Sequence, residues 1–368
     1  MAQKTKIEEE FVHLARMALS ERTQDVQMFL SRIVRRRSTD KKLCESLIEL
    51  LRENPTRSTP LRRDISAAMP TDSDTRFHLL RYEEFPHIPF EPIYSEQIQT
   101  TLNLLVEERE KIETLMKAGL EPTRTVLFTG PPGVGKTLGS RWIARALGCP
   151  LMILDLAAVM SSYLGRTGTN LRHVLEYAKS CNCVLLLDEL DAIAKRRDDT
   201  GEIGELKRLV TVLLQQLDDW PSSRLLIAAT NHADLLDPAI WRRFEQQIFF
   251  DFPKASSVRS FLEKLFEHPT QKTKKWIDIL STALAGSSYS DIEREVTLAK
   301  RAAVLNEQPL DQHLPALIAS DRLSHMTRQK RIAIASQLAE SGLVSQRKAQ
   351  KITGVARDTI RHHLKMAQ

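Results

Sequence analysis

Short apolar runs alternate with longer stretches of helical periodicity between about residues 95 and 251. The runs are Thr125–Thr129, Leu151–Leu154, Cys183–Leu187, Leu225–Thr230 and Gln247–Phe250. They carry no polar alternation, which predicts strands covered on both faces and hence a parallel sheet. On either side the periodicity is helical only. Phe11, Leu14, Ala15 and Leu19, then Val26, Phe29, Leu30, Ile33 and Val34, then Leu43, Leu47, Ile48 and Leu51 predict helices over 7–53. Ser38 and Asp40 stand where an N-cap would start the third of them. Residues 54–75, ENPTRSTPLRRDISAAMPTDSD, are rich in Pro, Ser, Thr and charge and read as a linker. Residues 252–316 are helical in pattern, and 322–368 form a basic helical unit. No internal repeat is visible.

Composition narrows this picture little. A chain of 368 residues suits two to four domains. No apolar run approaches the roughly 20 residues that span a bilayer, so no membrane partner is expected. The opening MAQKTKIEEEF has no apolar stretch behind its charges, which argues against a secretory signal. The four cysteines, Cys44, Cys149, Cys181 and Cys183, form no disulfide framework. Cys181 and Cys183 lack a second ligand pair and read as small residues entering a buried strand. A reducing cytoplasm fits these features. The formal charge of +6 permits a nucleic-acid partner without requiring one.

The candidate chemistry sits at strand ends. Gly130, Pro131, Pro132, Gly133, Val134, Gly135, Lys136, Thr137 and Leu138 lie between a predicted strand and an amphipathic helix over Leu138–Leu147. That is the strand–loop–helix setting of a phosphate-binding loop. The glycines let backbone N–H groups turn toward phosphate oxygens, and the helix N-terminus adds partial positive charge. Lys136 is expected at the β and γ phosphates of ATP, and Thr137 at a Mg²⁺ ion. The strand Cys183–Leu187 runs into Asp188 and Glu189. Paired carboxylates at the end of a buried strand need something to neutralise them. Asp188 fits a Mg²⁺ ligand acting through water, and Glu189 the general base for the attacking water. Asp191 reads as a capping or pairing residue. Asn231 ends the strand Leu225–Thr230 and is placed to orient the water or touch the γ-phosphate.

GPPGVGKT, LLLDELD, AATNHADLLDPAIWRRFE and GSSYSDIE occur here in the order and spacing of AAA ATPases. The chain resembles the branch with the second region of homology, over roughly residues 90–316. The resemblance implies an α/β fold: a P-loop AAA domain with a parallel five-stranded sheet, a small helical lid, and a ring, usually a hexamer, with ATP between subunits. Asn231 is then similar to the first sensor. Arg242 and Arg243 are similar to the arginine pair given to a neighbour's γ-phosphate, where a second cation stabilises charge developing in the transition state. Tyr163, Leu164 and Gly165 resemble the first pore loop, which grips a threaded polypeptide. Lys195–Glu205 resembles the second pore loop in position only. Asp218-Asp219-Trp220 stands where the family has Asp-Gly-Phe, and Tyr289 where the lid motif has a small residue.

Residues 345–365, SQRKAQKITGVARDTIRHHLK, resemble the helix-turn-helix of Fis-like DNA-binding proteins. Ser345 would cap one helix, Gly354 make the turn and Arg357–Lys365 form the second helix. Ala349, Ile352, Val355, Ile360 and Leu364 would be its core. Arg357, Thr359, Arg361, His362 and Lys365 would face DNA. Together these readings divide the chain into an all-α docking domain (1–55), a linker (56–89), the AAA α/β domain (90–251), the helical lid (252–320) and an all-α DNA-binding tail (321–368). They imply a cytoplasmic ring ATPase that remodels or unfolds a protein client, is tethered to DNA, and feeds a separate protease. Two alternatives stand beside this: a DNA-directed motor or loader akin to transposition helpers, and a DNA-binding switch controlled by ATP.

Overall fold

Each of the five apolar runs forms a strand, and a sixth strand precedes them. The strands are β1 (Arg81–Glu83), β2 (Thr125–Thr129), β3 (Leu151–Asp155), β4 (Val184–Asp188), β5 (Leu225–Thr230) and β6 (Gln246–Phe249), in the order β1-β3-β4-β5-β2-β6. These belong to a computed structural model that describes residues 80–161, 167–192, 203–267, 269–318, 323 and 326–366. All of them fall in one unit, Pro70–Gln368. The helices expected over 7–53, the linker 54–75 and the triplet Tyr163, Leu164 and Gly165 lie outside the described residues.

Neighbouring strands from β3 to β6 pair in parallel, whereas β1 pairs antiparallel with β3, Tyr82 opposite Met152. The expected count of five is therefore corrected to six. The extra strand lies in the stretch read as linker. Its three residues, RYE, are exposed or half-buried, so they leave no apolar run to detect. Every residue of β2 and β5 is buried, as are the first four of β4. This double-sided burial is why those strands read as continuous apolar runs.

Helices cover the sheet. They are α1 (Glu96–Glu110), α2 (Ile112–Lys117), α3 (Lys136–Ala146), α4 (Leu156–Ser161), α5 (Thr167–Ser180), α6 (Ile203–Asp218) and α7 (Pro238–Trp241). Ile98, Leu102 and Leu105 of α1 and Ile143 and Ala144 of α3 join Val126, Phe128, Ile227, Ala229 and Phe250 in one buried cluster. The rings of Phe128 and Phe250 lie 4.8 Å apart between centroids. Because β2, β4 and β5 are parallel neighbours or next neighbours, their carboxyl ends open onto the same edge of the sheet. In such sheets that edge is where ligands bind.

The chain continues as α8 (Ala255–Leu265), α9 (Gln271–Ala283) and α10 (Tyr289–Leu305), in the segment expected to be the lid and called so below, then α11 (Arg328–Glu340), α12 (Gln346–Thr353) and α13 (Arg357–Met366). Their starts are written in the sequence. Thr270, Ser288, Thr327 and Ser345 each cap a helix, accepting a hydrogen bond from the backbone N–H three residues on. Gly354 closes α12 in the left-handed conformation, φ 68°. Trp276, Leu280, Leu284 and Val296 of the lid share one buried cluster with Ile334, Leu338, Ala349 and Ile360 of the last three helices and Val355 of the turn between them. Lys275 Nζ also donates to Ser341 O at 2.9 Å. The tail thus packs on the core of the lid. Among the described residues no helix is long and apolar enough to cross a membrane.

Candidate nucleotide-binding site

The loop between β2 and α3 owes its shape to its glycines. Gly130, Gly133 and Gly135 take φ values of 137°, 75° and 99°, a region costly for residues with a Cβ. Gly130 is also hemmed in: a Cβ there would lie 2.1 Å from Phe250 O. The loop leads into α3, whose first-turn N–H groups have no partner within the helix. A ring of donors and a helix N-terminus at one place form an anion cradle.

Lys136 begins α3 and turns back over the loop. Its Nζ donates to Gly130 O at 2.7 Å, Pro131 O at 2.8 Å and Asn231 Oδ1 at 2.8 Å. Burial drives its pKa down to about 8, against the opposing pull of Asp188 and Asp191. Thr137 Oγ1 donates to Asp188 Oδ2 at 3.2 Å, bringing α3 and the end of β4 together. Glu189 follows Asp188 with φ 56°, a left-handed conformation unusual for a residue with a side chain. Its N–H donates to Asp188 Oδ1 at 3.0 Å. Such strain persists only where neighbours over-determine it, and it concentrates at working sites.

Asp191 is 4% exposed. Its Oδ1 accepts from Thr230 Oγ1 at 3.1 Å and from Asn231 N at 3.3 Å. It therefore holds the end of β5, and with it the side chain that reaches Lys136. The sequence reading places Asp191 at the next helix, whereas these bonds run to the end of β5.

A cleft of about 490 Å³ opens at this edge. Its lining includes Pro132–Leu138, Asp188, Glu189 and Asn231, together with Phe90, Ile93 and Tyr94 before α1, Arg141 on α3, and Phe261, Tyr289 and Glu293 from the lid. The structure thus brings together the loop, both carboxylates and Asn231. It adds a half-aromatic wall, of which only Tyr289 lies in a motif read from the sequence. Tyr94 OH donates to Gly135 O at 2.9 Å. Arg141 makes a two-pronged bond to Glu83, at 2.8 and 2.9 Å, fixing β1 beside the cleft. No local motif marks Phe90, Tyr94, Arg141 or Glu83, since they meet only when β1 and the segment before α1 fold back over α3.

Arg242 and Arg243 are not among the residues that line this cleft. Asp237 caps the short α7 by accepting from Ala239 N at 2.9 Å, and the arginines follow its end. Arg243 pairs with Asp218 at 3.0 Å on the surface. Trp220, two residues from Asp218, is 1% exposed and belongs to the core.

Residues 126–252 match the family described as "ATPase family associated with various cellular activities (AAA)". Over that stretch the chain is similar to AAA ATPases. Over 204 residues, 55% of this chain and 61% of the relative, it is 41% identical to an uncharacterized AAA family ATPase of Sinorhizobium fredii. It is 29% identical over 249 residues (65% and 61%) to the proteasome-activating nucleotidase of Methanothermobacter thermautotrophicus. It is 30% identical over 255 residues (66% and 62%) to that of Methanococcus maripaludis. The chain spans about three-fifths of the length of these relatives.

The oxygen donors at this sheet edge suit Mg²⁺. The Thr137 hydroxyl and Asp188 carboxylate are hard oxygen ligands held side by side. Mg²⁺ is commonly bound through one or two protein oxygens plus substrate phosphates and water. Among the described residues no cluster of three or more His, Cys, Asp or Glu could hold a metal by itself. Cys183 is buried at the start of β4, with burial raising its thiol pKa to about 12.

Proposed function

We propose that this chain binds ATP with Mg²⁺ in the cleft and hydrolyses it as part of a ring, most simply a hexamer, that remodels or unfolds a protein client. The observation that carries the reading is the meeting of Lys136, Thr137, Asp188, Glu189 and Asn231 at one sheet edge, with Arg242 and Arg243 outside it. The glycine loop and the start of α3 would hold the phosphates, and Lys136 would exchange its carbonyl partners for phosphate oxygens. Thr137 and Asp188 would hold Mg²⁺, which supplies charge neutralisation across the phosphates. Glu189 would accept a proton from water as the water oxygen bonds to the γ-phosphorus. The bond from that phosphorus to the bridging oxygen breaks, and ADP and phosphate leave. Asn231 would orient the water. A neighbour's Arg242 and Arg243 would meet the charge developing on the transferred group.

The protein client is supported by the likeness to proteasome-activating nucleotidases and by the Tyr163-Leu164-Gly165 triplet. A separate protease would receive that client. The tail supports a DNA tether. Arg357, Arg361, His362 and Lys365 are exposed along α13 and Thr359 is half-buried, behind the turn at Gly354. A helix presenting cations after such a turn suits a duplex groove. The same cations favour one other reading, a DNA-directed motor or loader.

Tyr163→Ala decides between them. In the threading reading, ATP hydrolysis and DNA binding stay within a few-fold of wild type while unfolding of a tagged reporter protein collapses. Tyr163→Phe retains the apolar ring and most of the unfolding. A wild-type protein that unfolds nothing, yet hydrolyses ATP faster with DNA, would favour the loader.

A further inference from the structure

A strap of six residues, 89–94, crosses between the lid and the phosphate loop. On the lid side, Tyr289 OH donates to Ile93 O at 2.6 Å and Lys264 Nζ to Glu91 O at 2.6 Å. The ring of Phe90 packs 5.4 Å from that of Phe261, which in turn meets Tyr289 edge-on at 5.0 Å. On the other side, Tyr94 OH donates to Gly135 O at 2.9 Å, and its ring meets Phe250 edge-on at 5.5 Å. Trp142 Nε1 donates to Glu91 Oε2 at 3.2 Å. The strap is therefore tied to two bodies whose separation sets the width of the cleft.

These ties are unequal. Those to Glu91 are exposed, where charge pairs are screened and weak. The two tyrosine bonds are partly buried, and burial pushes both phenols upward, Tyr289 to about 12. Both hydroxyls thus remain donors throughout the working pH range. Tyr289 is the first residue of α10, and its neighbour Ser290 donates its N–H to Gly133 O at 3.3 Å. One helix start therefore touches both the strap and the phosphate loop.

We propose that Tyr289 is a positioning residue that latches the lid to the 89–94 strap and thereby sets how fast a nucleoside diphosphate leaves the cleft. The latch rests on the proposed nucleotide site and adds to it a control of release. Opening the lid away from the strap must break the Tyr289–Ile93 bond, while the Tyr94–Gly135 bond keeps the strap on the loop. Tyr289→Phe removes the hydroxyl, with its bonds to Ile93 O and to the Ser257 side chain, and leaves the ring contact with Phe261 in place.

The test uses the full chain and fluorescently labelled ADP chased by excess unlabelled ADP. Tyr289→Phe is expected to release the label about two- to tenfold faster, the range that one net hydrogen bond spans, with a melting temperature within about 2 °C of wild type. In a second measurement on wild type, amide exchange is expected to show ADP protecting the strap and the first turn of α10 together. Release at the wild-type rate by Tyr289→Phe, or protection of the two segments independently of each other, overturns the latch and leaves the nucleotide site standing. A wild-type protein that binds no labelled ADP overturns the proposed site and the latch with it.

Discussion

Thr125 Oγ1 donates to Arg243 O at 2.9 Å, which ties the arginine pair to the start of β2. The phosphate loop begins at the other end of that strand, at Gly130. Five residues of strand span roughly 15 Å, so Arg243 is anchored a strand's length from the glycine loop of the same chain. Its side chain is turned to Asp218 on the surface. Replacing Arg242 and Arg243 by Ala is expected to slow hydrolysis by about 10³-fold or more. Mixing that variant with Glu189→Gln should recover activity, because some interfaces then pair an intact Glu189 with intact arginines. Mixed rings confirmed by mass, with no recovery at any ratio, would place the arginines within one subunit's own reaction.

Glu189→Gln separates binding from chemistry. The amide keeps the shape and the left-handed backbone at φ 56° but cannot take a proton from water. Hydrolysis is expected to drop by at least ~10²-fold with ATP affinity kept. Turnover equal to wild type would remove Glu189 from the reaction.

Lys136 is expected to make nucleotide affinity sensitive to pH. Its folded-state pKa is lowered from 10.5 to about 8 by burial. Phosphates favour the charged form, so affinity should fall as pH rises through about 8, by up to tenfold per unit. Calorimetry above that pH in buffers of different ionisation heat should register proton uptake on binding. The linkage to folding has the opposite direction. Between about 8 and 10.5 the unfolded chain binds more protons, so this group adds stability to the nucleotide-free protein as pH climbs through that window. Affinity independent of pH from about 7 to 9.5 would mean that Lys136 does not meet the phosphates.

Gly133 carries two constraints at once. Its φ is 75°, and a Cβ there would lie 2.7 Å from Ser288 Oγ and 3.0 Å from Ser290 Cβ. Gly133→Ala should therefore strain the loop and push away the start of α10, weakening nucleotide binding at least tenfold. Gly119 has a similar φ of 72° with nothing within 4 Å. Gly119→Ala should cost about 1–2 kcal/mol of stability and leave nucleotide affinity alone. Equal effects of the two changes on affinity would refute the steric argument.

The tail should bind DNA weakly as single copies and strongly as several. One small helical unit makes few phosphate contacts, so its affinity is low and falls steeply with salt. Copies held on one ring raise the effective concentration of the second contact to roughly the mM range. Full-length protein with ATP is expected to hold a long duplex much more tightly than an ATP-free, unassembled chain does. Replacing Arg357, Arg361 and Lys365 together should abolish the difference and reduce the salt slope. Wild-type protein that binds no duplex at low salt would remove the tether.

Much of this protein is local in its sequence. Strands buried on both faces must be apolar throughout, so β2, β4 and β5 stand out as runs. A phosphate cradle needs glycines at fixed spacing, because φ values of 137°, 75° and 99° are costly for other residues. Helix caps such as Ser345 and the turn at Gly354 are equally local, and they mark the tail helices one residue at a time. Other features join residues far apart in the chain, and no pattern within a window records them. Three exposed or half-buried residues become β1 because β3 offers them an edge. Glu83 reaches Arg141, Ile93 reaches Tyr289 and Thr125 reaches Arg243 across 58, 196 and 118 positions. The tail's helices are visible in the sequence, but that they finish the lid's core is not, because apolar spacing tells which face is buried and never against what. Only the folded chain decides those partners, since each depends on the complementary surfaces that the rest of the molecule brings within contact distance.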